Sequence, residues 1–172
     1  MSKETIEYTG VSSLQELKNT NGFPSEKRFK KGPVAVIECI QEIPCNPCVD
    51  ACPYGAITIE GSINNLPILD GDKCKGCGLC ISKCPGLAIF LVDINFSKEQ
   101  AAVSFPYEFL PLPKVGEEIS AVNREGKFIT MARVLKVQNG IKNDRTPIVT
   151  IIVPKKWGNE IRSILIPQRR SS

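Results

Sequence analysis

Eight cysteines constrain this chain more than anything else in it. They stand at Cys39, Cys45, Cys48 and Cys52, and again at Cys74, Cys77, Cys80 and Cys84. The second group reads C-x2-C-x2-C-x3-C-P and closes on Pro85; the first reads C-x5-C-x2-C-x3-C-P and closes on Pro53. Cys45, Cys48, Cys52 and Pro53 recur 32 positions later as Cys77, Cys80, Cys84 and Pro85, and Ala56-Ile57 recurs as Ala88-Ile89 at the same offset. This is an internal repeat whose recurring part is thiols. A loop with a thiol at every third residue curls round whatever the thiols hold. The proline after the last cysteine fixes φ and turns the chain away.

The chain has no histidine among its 172 residues. That excludes Ser-His-Asp and Cys-His catalysis, Cys/His zinc fingers and Rieske centres. Residues 1–22 are polar and lack the apolar core of a signal peptide. The longest apolar run, residues 87–92, is far short of the ~20 residues of a spanning helix. These features read as a cytoplasmic protein with no membrane span, where paired cysteines bind metal more often than they form disulfides.

The second motif is the bacterial ferredoxin signature for [4Fe–4S] ligation. Residues 36–92 resemble a two-cluster bacterial ferredoxin domain, with "CVDACPYGAITIE" and "DGDKCKGCGLCISKCPGLAIF" matching its two halves. In such domains the last cysteine of each motif ligates the other cluster. The resemblance therefore implies one cluster on Cys74, Cys77, Cys80 and Cys52, and another on Cys45, Cys48, Cys84 and one more ligand. Regular spacing would put that ligand at Glu42, whereas Cys39 lies three residues earlier. Cys39 is the expected ligand. A Glu42 carboxylate, or a three-iron cluster with Cys39 as a small buried hydrophobe, are the alternatives. Two four-thiolate zinc sites fit less well, because zinc ribbons present separated C-x2-C pairs. Gly76 and Gly78 suit the close approach of backbone to a cluster, and backbone N–H groups aimed at sulfur tune its potential.

Over the whole chain, "ECIQEIPCNPCVDACPYGAI" with the later "NDRTPIVTIIVP" is similar to small iron–sulfur subunits of amine and amino-acid dehydrogenases. Those subunits work in flavoprotein complexes oxidising proline, hydroxyproline, sarcosine-like or opine-like substrates. The resemblance implies an electron-transfer subunit that is no enzyme alone, in a hetero-oligomer with flavoprotein dehydrogenase subunits that carry FAD or FMN, and with a small [2Fe–2S] subunit as a further candidate partner. A freely diffusing ferredoxin and a structural iron–sulfur module are the competing readings.

The expected fold class is α+β: a ferredoxin-like two-[4Fe–4S] domain with an N-terminal extension and a small all-β, barrel-like C-terminal domain. Residues 1–35 read as an arm docking on a partner, since alone it has little to bury. Within it Ser12–Asn19 reads as a helix capped by Ser12 or Ser13 with Glu16 completing the box. The basic run Glu26–Lys31 reads as a solvated or docking face. Pro33–Cys39, Ala56–Glu60 and Leu66–Leu69 read as strands of the 36–92 domain. Residues 93–113 read as a hairpin, with strands Ala88–Phe96 and Ala101–Phe105, and a proline-rich linker, "FPYEFLPLP". Residues 114–172 read as the β domain with a basic tail. Its strands are Ile119–Asn123, Phe128–Val137 and Ile148–Val153, followed by a closing helix or strand in Trp157–Ile166 and a frayed end at Gln168–Ser172. Trp157 reads as packing, Tyr54 as a residue beside a cluster, and Asp70 and Asp72 as turn or cap residues.

No phosphate-binding loop, dinucleotide fingerprint or nucleic-acid module is present, so no nucleic-acid partner is expected. The formal charge is +4, but residues 114–172 hold 12 cationic against 5 anionic side chains, while residues 39–90 hold 3 against 5. Cluster-bound thiolates would make the second of these more negative still. The charge is dipolar rather than uniformly basic, which suits oriented docking.

Overall fold

The computed structural model describes residues 5–166; the tail Gln168–Ser172 lies outside them. Three short helices, α1 (Ile6–Thr9), α2 (Leu14–Lys18) and α3 (Glu26–Phe29), precede the first strand, β1 (Val34–Ile37). In α2 the Ser13 side chain accepts from the Glu16 N–H while the Glu16 carboxylate accepts from the Ser13 N–H, the reciprocal box expected from the sequence.

β1 pairs antiparallel with β4 (Ile89–Asp93), Val34 opposite Val92 and Ile37 opposite Ile89. All four residues of β1 are buried, and the period of two explains how. Val34, Val36, Phe90 and Val92 join one apolar core, whereas Ala35, Ile37, Ile89 and Leu91 join a second, which contains the cysteines. The β1–β4 ribbon is thus a wall shared by two cores. This is why "PVAVI" is continuously apolar rather than alternating.

Between these strands lie α4 (Pro47–Asp50) and a two-stranded sheet, β2 (Ile57–Thr58) with β3 (Ile68–Leu69). After β4 come β5 (Gln100–Pro106), β6 (Glu118–Val122), β7 (Phe128–Gln138), β8 (Ile148–Pro154) and β9 (Ser163–Ile164). The sheet order is β1-β4-β5-β8-β7-β6-β9, with antiparallel pairing throughout. The strand assignments made from alternation and turn chemistry therefore hold to within a few residues.

The division at 113/114 does not coincide with a break in the sheet. β5 runs through Phe105 and Pro106, which were expected to open the linker, and pairs with β8 over seven residues, Gln100 opposite Pro154 to Pro106 opposite Ile148. Tyr107, next in the chain, is buried against the same core. Proline content suggested a linker, but Phe105 and Tyr107 bury more apolar surface than an exposed segment would leave available. The segment expected as the closing helix or strand, Trp157–Ile166, starts on the last residue of a 3-10 turn, Lys155–Trp157, and contains the strand β9. Trp157 packs against the larger core as expected.

The two ends of the sheet order meet through charge. Glu38, which follows β1, accepts from Arg162, which precedes β9, and from Arg124 in the β6–β7 turn.

The N-terminal arm buries Leu17 and Phe29 against its own chain. Phe23 and Phe29 meet edge to face at 5.8 Å. The carbonyls of Asn21 and Gly22 accept from Leu69 and Ile37 N–H groups. The premise that the arm has little to bury is corrected, because two aromatics and one leucine suffice to seat it on β1 and β3.

Candidate metal centres

Two small cavities open beside the β1–β4 ribbon. The first is walled by Cys52, Cys74, Cys77 and Cys80, together with Ala35, Ile57 and Leu91. The second is walled by Cys39, Cys45, Cys48 and Cys84, together with Ile37, Ile43 and Ile89. Each motif contributes three thiols to one cavity and one to the other, and the cysteine of each Cys-Pro pair, Cys52 or Cys84, is the one that crosses over. Glu42 is exposed, and its neighbours Gln41 and Ile43, not its carboxylate, line the second cavity.

The crossing is built identically in both halves. The Ala56 N–H donates to Cys52 Sγ at 3.3 Å, and the Ala88 N–H donates to Cys84 Sγ at 3.4 Å. These are the same positions of the 32-residue repeat. The residue between, Gly55 in one half and Leu87 in the other, has φ of 58° and 52°. A left-handed residue there turns the chain so that the next N–H faces sulfur. Glycine adopts it freely and leucine under strain.

Gly76 carries φ of 64°, and a Cβ at that position would stand 2.6 Å from the Pro33 carbonyl oxygen. The loop lies against the residue preceding β1, which only glycine permits. Gly78, with φ of 76°, has room for a Cβ and is required for its conformation alone.

Burial pushes the Cys48 thiol up to about 11, helped by Cys84, Cys45 and Cys39. Burial also pushes Cys80 up to about 12, helped by Cys74, Cys77 and Cys52. Cys39 is raised for the same reason, with Cys84 and Cys45 adding to burial. Four thiols crowded round an apolar hole resist becoming thiolates unless a cation is among them. Among the described residues no three Cys, Asp or Glu side chains group tightly enough for a single metal ion; the thiols surround a cavity instead. All-sulfur donors, apolar walls and N–H groups aimed at sulfur fit an iron–sulfur cluster.

Arg28 carries a function that residue patterns did not expose. Its guanidinium donates to four carbonyls: Gly71 at 2.5 Å, Gly32 at 3.1 Å, and Pro33 and Cys74 at 2.9 Å each. It pins the first cysteine of the second loop to the residues before β1. In "EKRFKK" it looked like one cation among several, yet Arg28 and Phe29 are buried while Lys27, Lys30 and Lys31 are exposed. Asp70 acts as the expected turn residue, accepting from the Asp72 and Lys73 N–H groups. Tyr54 lines the mouth of the first cavity and is about half exposed.

Comparison with known proteins agrees with this chemistry. Residues 38–90 match the family described as 4Fe-4S dicluster domain. An uncharacterized ferredoxin of Methanocaldococcus jannaschii is 38% identical over 68 residues, covering 38% of this chain and 41% of that protein. The aliphatic sulfonate oxidoreductase, polyferredoxin-like subunit, of Pyrococcus furiosus is 38% identical over 48 residues, 28% of this chain and 27% of its own. ABC transporter E family member 1 of Arabidopsis thaliana is 28% identical over 120 residues, 60% of this chain. The chain spans about a fifth of that relative's length. No solved structure matches. Residues 38–90 are therefore a ferredoxin-type 4Fe–4S segment. Among the described residues no helix is long and apolar enough to cross a membrane.

Proposed function

We propose that this chain binds two [4Fe–4S] clusters and is the electron-transferring subunit of an oxidoreductase complex. One cluster rests on Cys39, Cys45, Cys48 and Cys84, the other on Cys74, Cys77, Cys80 and Cys52. The observation that carries this reading is the pair of four-thiol cavities side by side on one face of the β1–β4 ribbon. A cluster bound in such a cavity takes up and returns one electron at a potential set by its surroundings.

The chain's own residues do the rest. Ile37, Ile57, Ile89 and Leu91 keep water from the cavities. Ala56 and Ala88 hold the crossing sulfurs. Gly76 lets the second loop lie on the chain before β1. Cys77 is exposed, while Cys48 and Cys80 are buried. The cavity that Cys77 lines therefore offers a short route to an external donor or acceptor.

The finer reading is that the donor is FAD or FMN on a partner dehydrogenase subunit acting on an amine or amino acid, within a hetero-oligomer. It rests on the whole-chain resemblance and on the size of the polypeptide beyond residues 38–90, more than a free carrier needs. The Pyrococcus furiosus relative, named as a subunit of an oxidoreductase, supports membership in a complex. Anaerobic purification of the tagged chain from its native cells is the test. The expected result is a co-purifying polypeptide with flavin in fixed ratio, and bleaching of the clusters when proline or a related amine is added. A lone monomer with reducible clusters points instead to a free ferredoxin.

A further inference from the structure

The ligand spacing departs from the repeat at one point, Cys39, and the structure backs that point with a buried ion-pair seam, whereas the ion pairs beside Cys74 are exposed. Glu38 is 8% exposed at its side chain, Arg124 10% and Arg162 4%. Arg124 meets the Glu38 carboxylate with both Nε, at 2.9 Å, and Nη2, at 2.6 Å. Arg162 Nε donates to the same carboxylate at 2.7 Å. Both guanidiniums are fixed in turn. Arg124 donates to the Asn159 carbonyl, and Arg162 donates to the carbonyls of Gly158 and Ile161 and lies 5.0 Å over the Phe90 ring. Glu160 adds a second carboxylate 3.7 Å from Arg124.

The backbone of Glu38 reaches the cavity by two routes. Along the chain it is bonded to Cys39. Across the ribbon its N–H donates to the Ala88 carbonyl at 2.8 Å, and the Ala88 N–H donates to Cys84 Sγ. Glu38 thus sits at the junction of Cys39 and Cys84, the two thiols of the second cavity that lie outside the 45–48 loop. At the matching thiol of the other half, Cys74, this task falls to Arg28.

We infer that Glu38, clamped by Arg124 and Arg162, is the positioning residue that presents Cys39 and Cys84 to their cluster. The strands after residue 114 thereby govern the loading and potential of that cluster alone. The inference rests on the reading of Cys39 as a ligand. A three-residue displacement of the ligand leaves it without the loop geometry that fixes Cys74. A buried carboxylate held by the Arg124 fork and by a single bond from the fixed Arg162 guanidinium replaces that geometry, because bidentate charge-assisted bonds fix direction as well as distance.

The test uses holoprotein reconstituted anaerobically with iron and sulfide: wild type, Cys39→Ser, Glu38→Gln and Arg162→Lys. Iron and sulfide are counted per chain, and the reduced protein is followed by EPR and potentiometry. Cys39→Ser serves as the reference for loss of one cluster. Glu38→Gln is expected to lose about half of its iron and sulfide and to give the Cys39→Ser spectrum. Any retained fraction of that cluster titrates at a higher potential, since a carboxylate has gone from beside it, while the midpoint of the other cluster stays. Arg162→Lys, which keeps the charge but cannot bond the Glu38 carboxylate and the Gly158 and Ile161 carbonyls together, is expected to lower loading of the same cluster with no shift in potential. Full loading and unmoved midpoints in both seam variants overturn the inference. So does equal loss of both clusters, which marks the seam as general support of the fold. Full loading of Cys39→Ser overturns the ligand reading beneath it.

Discussion

Replacing Gly76 and, separately, Gly78 by alanine isolates what the second loop needs from its backbone. Both residues have positive φ, so each alanine carries the left-handed penalty of about 1–2 kcal/mol. At Gly78 nothing more is added, because the nearest atoms to a new Cβ are Ile81 Cδ1 at 3.5 Å and Leu91 Cδ2 at 3.8 Å. At Gly76 the Cβ meets the Pro33 oxygen at 2.6 Å, 0.8 Å inside the 3.4 Å at which ordinary contact begins, and Pro33 Cβ and Cγ at 2.9 Å. Those atoms cannot yield freely, since the Pro33 carbonyl also accepts from Arg28, which holds the Cys74 carbonyl. Relief of such an overlap adds about 1–3 kcal/mol. Gly76→Ala should therefore cost about 2 kcal/mol more than Gly78→Ala, or roughly 4–8 °C in midpoint for a chain of this size. Thermal bleaching of the visible absorbance of the holoprotein measures it. Equal midpoints for the two variants would refute the packing argument, and a lower midpoint for Gly78→Ala would reverse it.

Arg28→Met removes one donor group from four carbonyls and should destabilise by about 3 kcal/mol, with the cluster on Cys74 bleaching first in a urea series followed by EPR. Ile151→Ala, in the core on the far side of the ribbon, should cost about 3 kcal/mol in denaturant melts while both cluster signals keep their shape. Lys75 is exposed and lines the same cavity as Cys77. Lys75→Glu should slow oxidation of the reduced holoprotein by ferricyanide and speed it by hexaamminecobalt(III), severalfold in each case and less at high salt. Unchanged rates with both oxidants would place the exit elsewhere.

Much of this structure was legible because its determinants are local. Cysteine spacing, the Cys-Pro stops and the 32-residue offset are properties of short segments. So are the alternation of Phe128–Gln138 and the box joining Ser13 to Glu16. What escaped notice depends on contacts between distant parts of the chain. Arg28 looked like a surface cation, and only the fold shows four carbonyls converging on it. Glu38, Arg124 and Arg162 are separated by most of the chain, and nothing near any of them marks it as buried. The continuity of the sheet was hidden for a related reason. Pro33–Cys39 read simply as a strand, whereas the two faces of Val34–Ile37 serve two cores and so join the ferredoxin-type domain to the strands that follow. The proline-rich stretch misled because proline count says nothing about Phe105 and Tyr107, which bury beneath it.

Cluster content is the most direct measurement. The chain, loaded anaerobically with iron and sulfide, desalted and reduced with dithionite, should hold about eight iron and eight sulfide per polypeptide and show the EPR of two interacting clusters. Iron near four per chain with a single uncoupled signal, or zinc without sulfide in protein purified directly, would contradict the two-cluster reading.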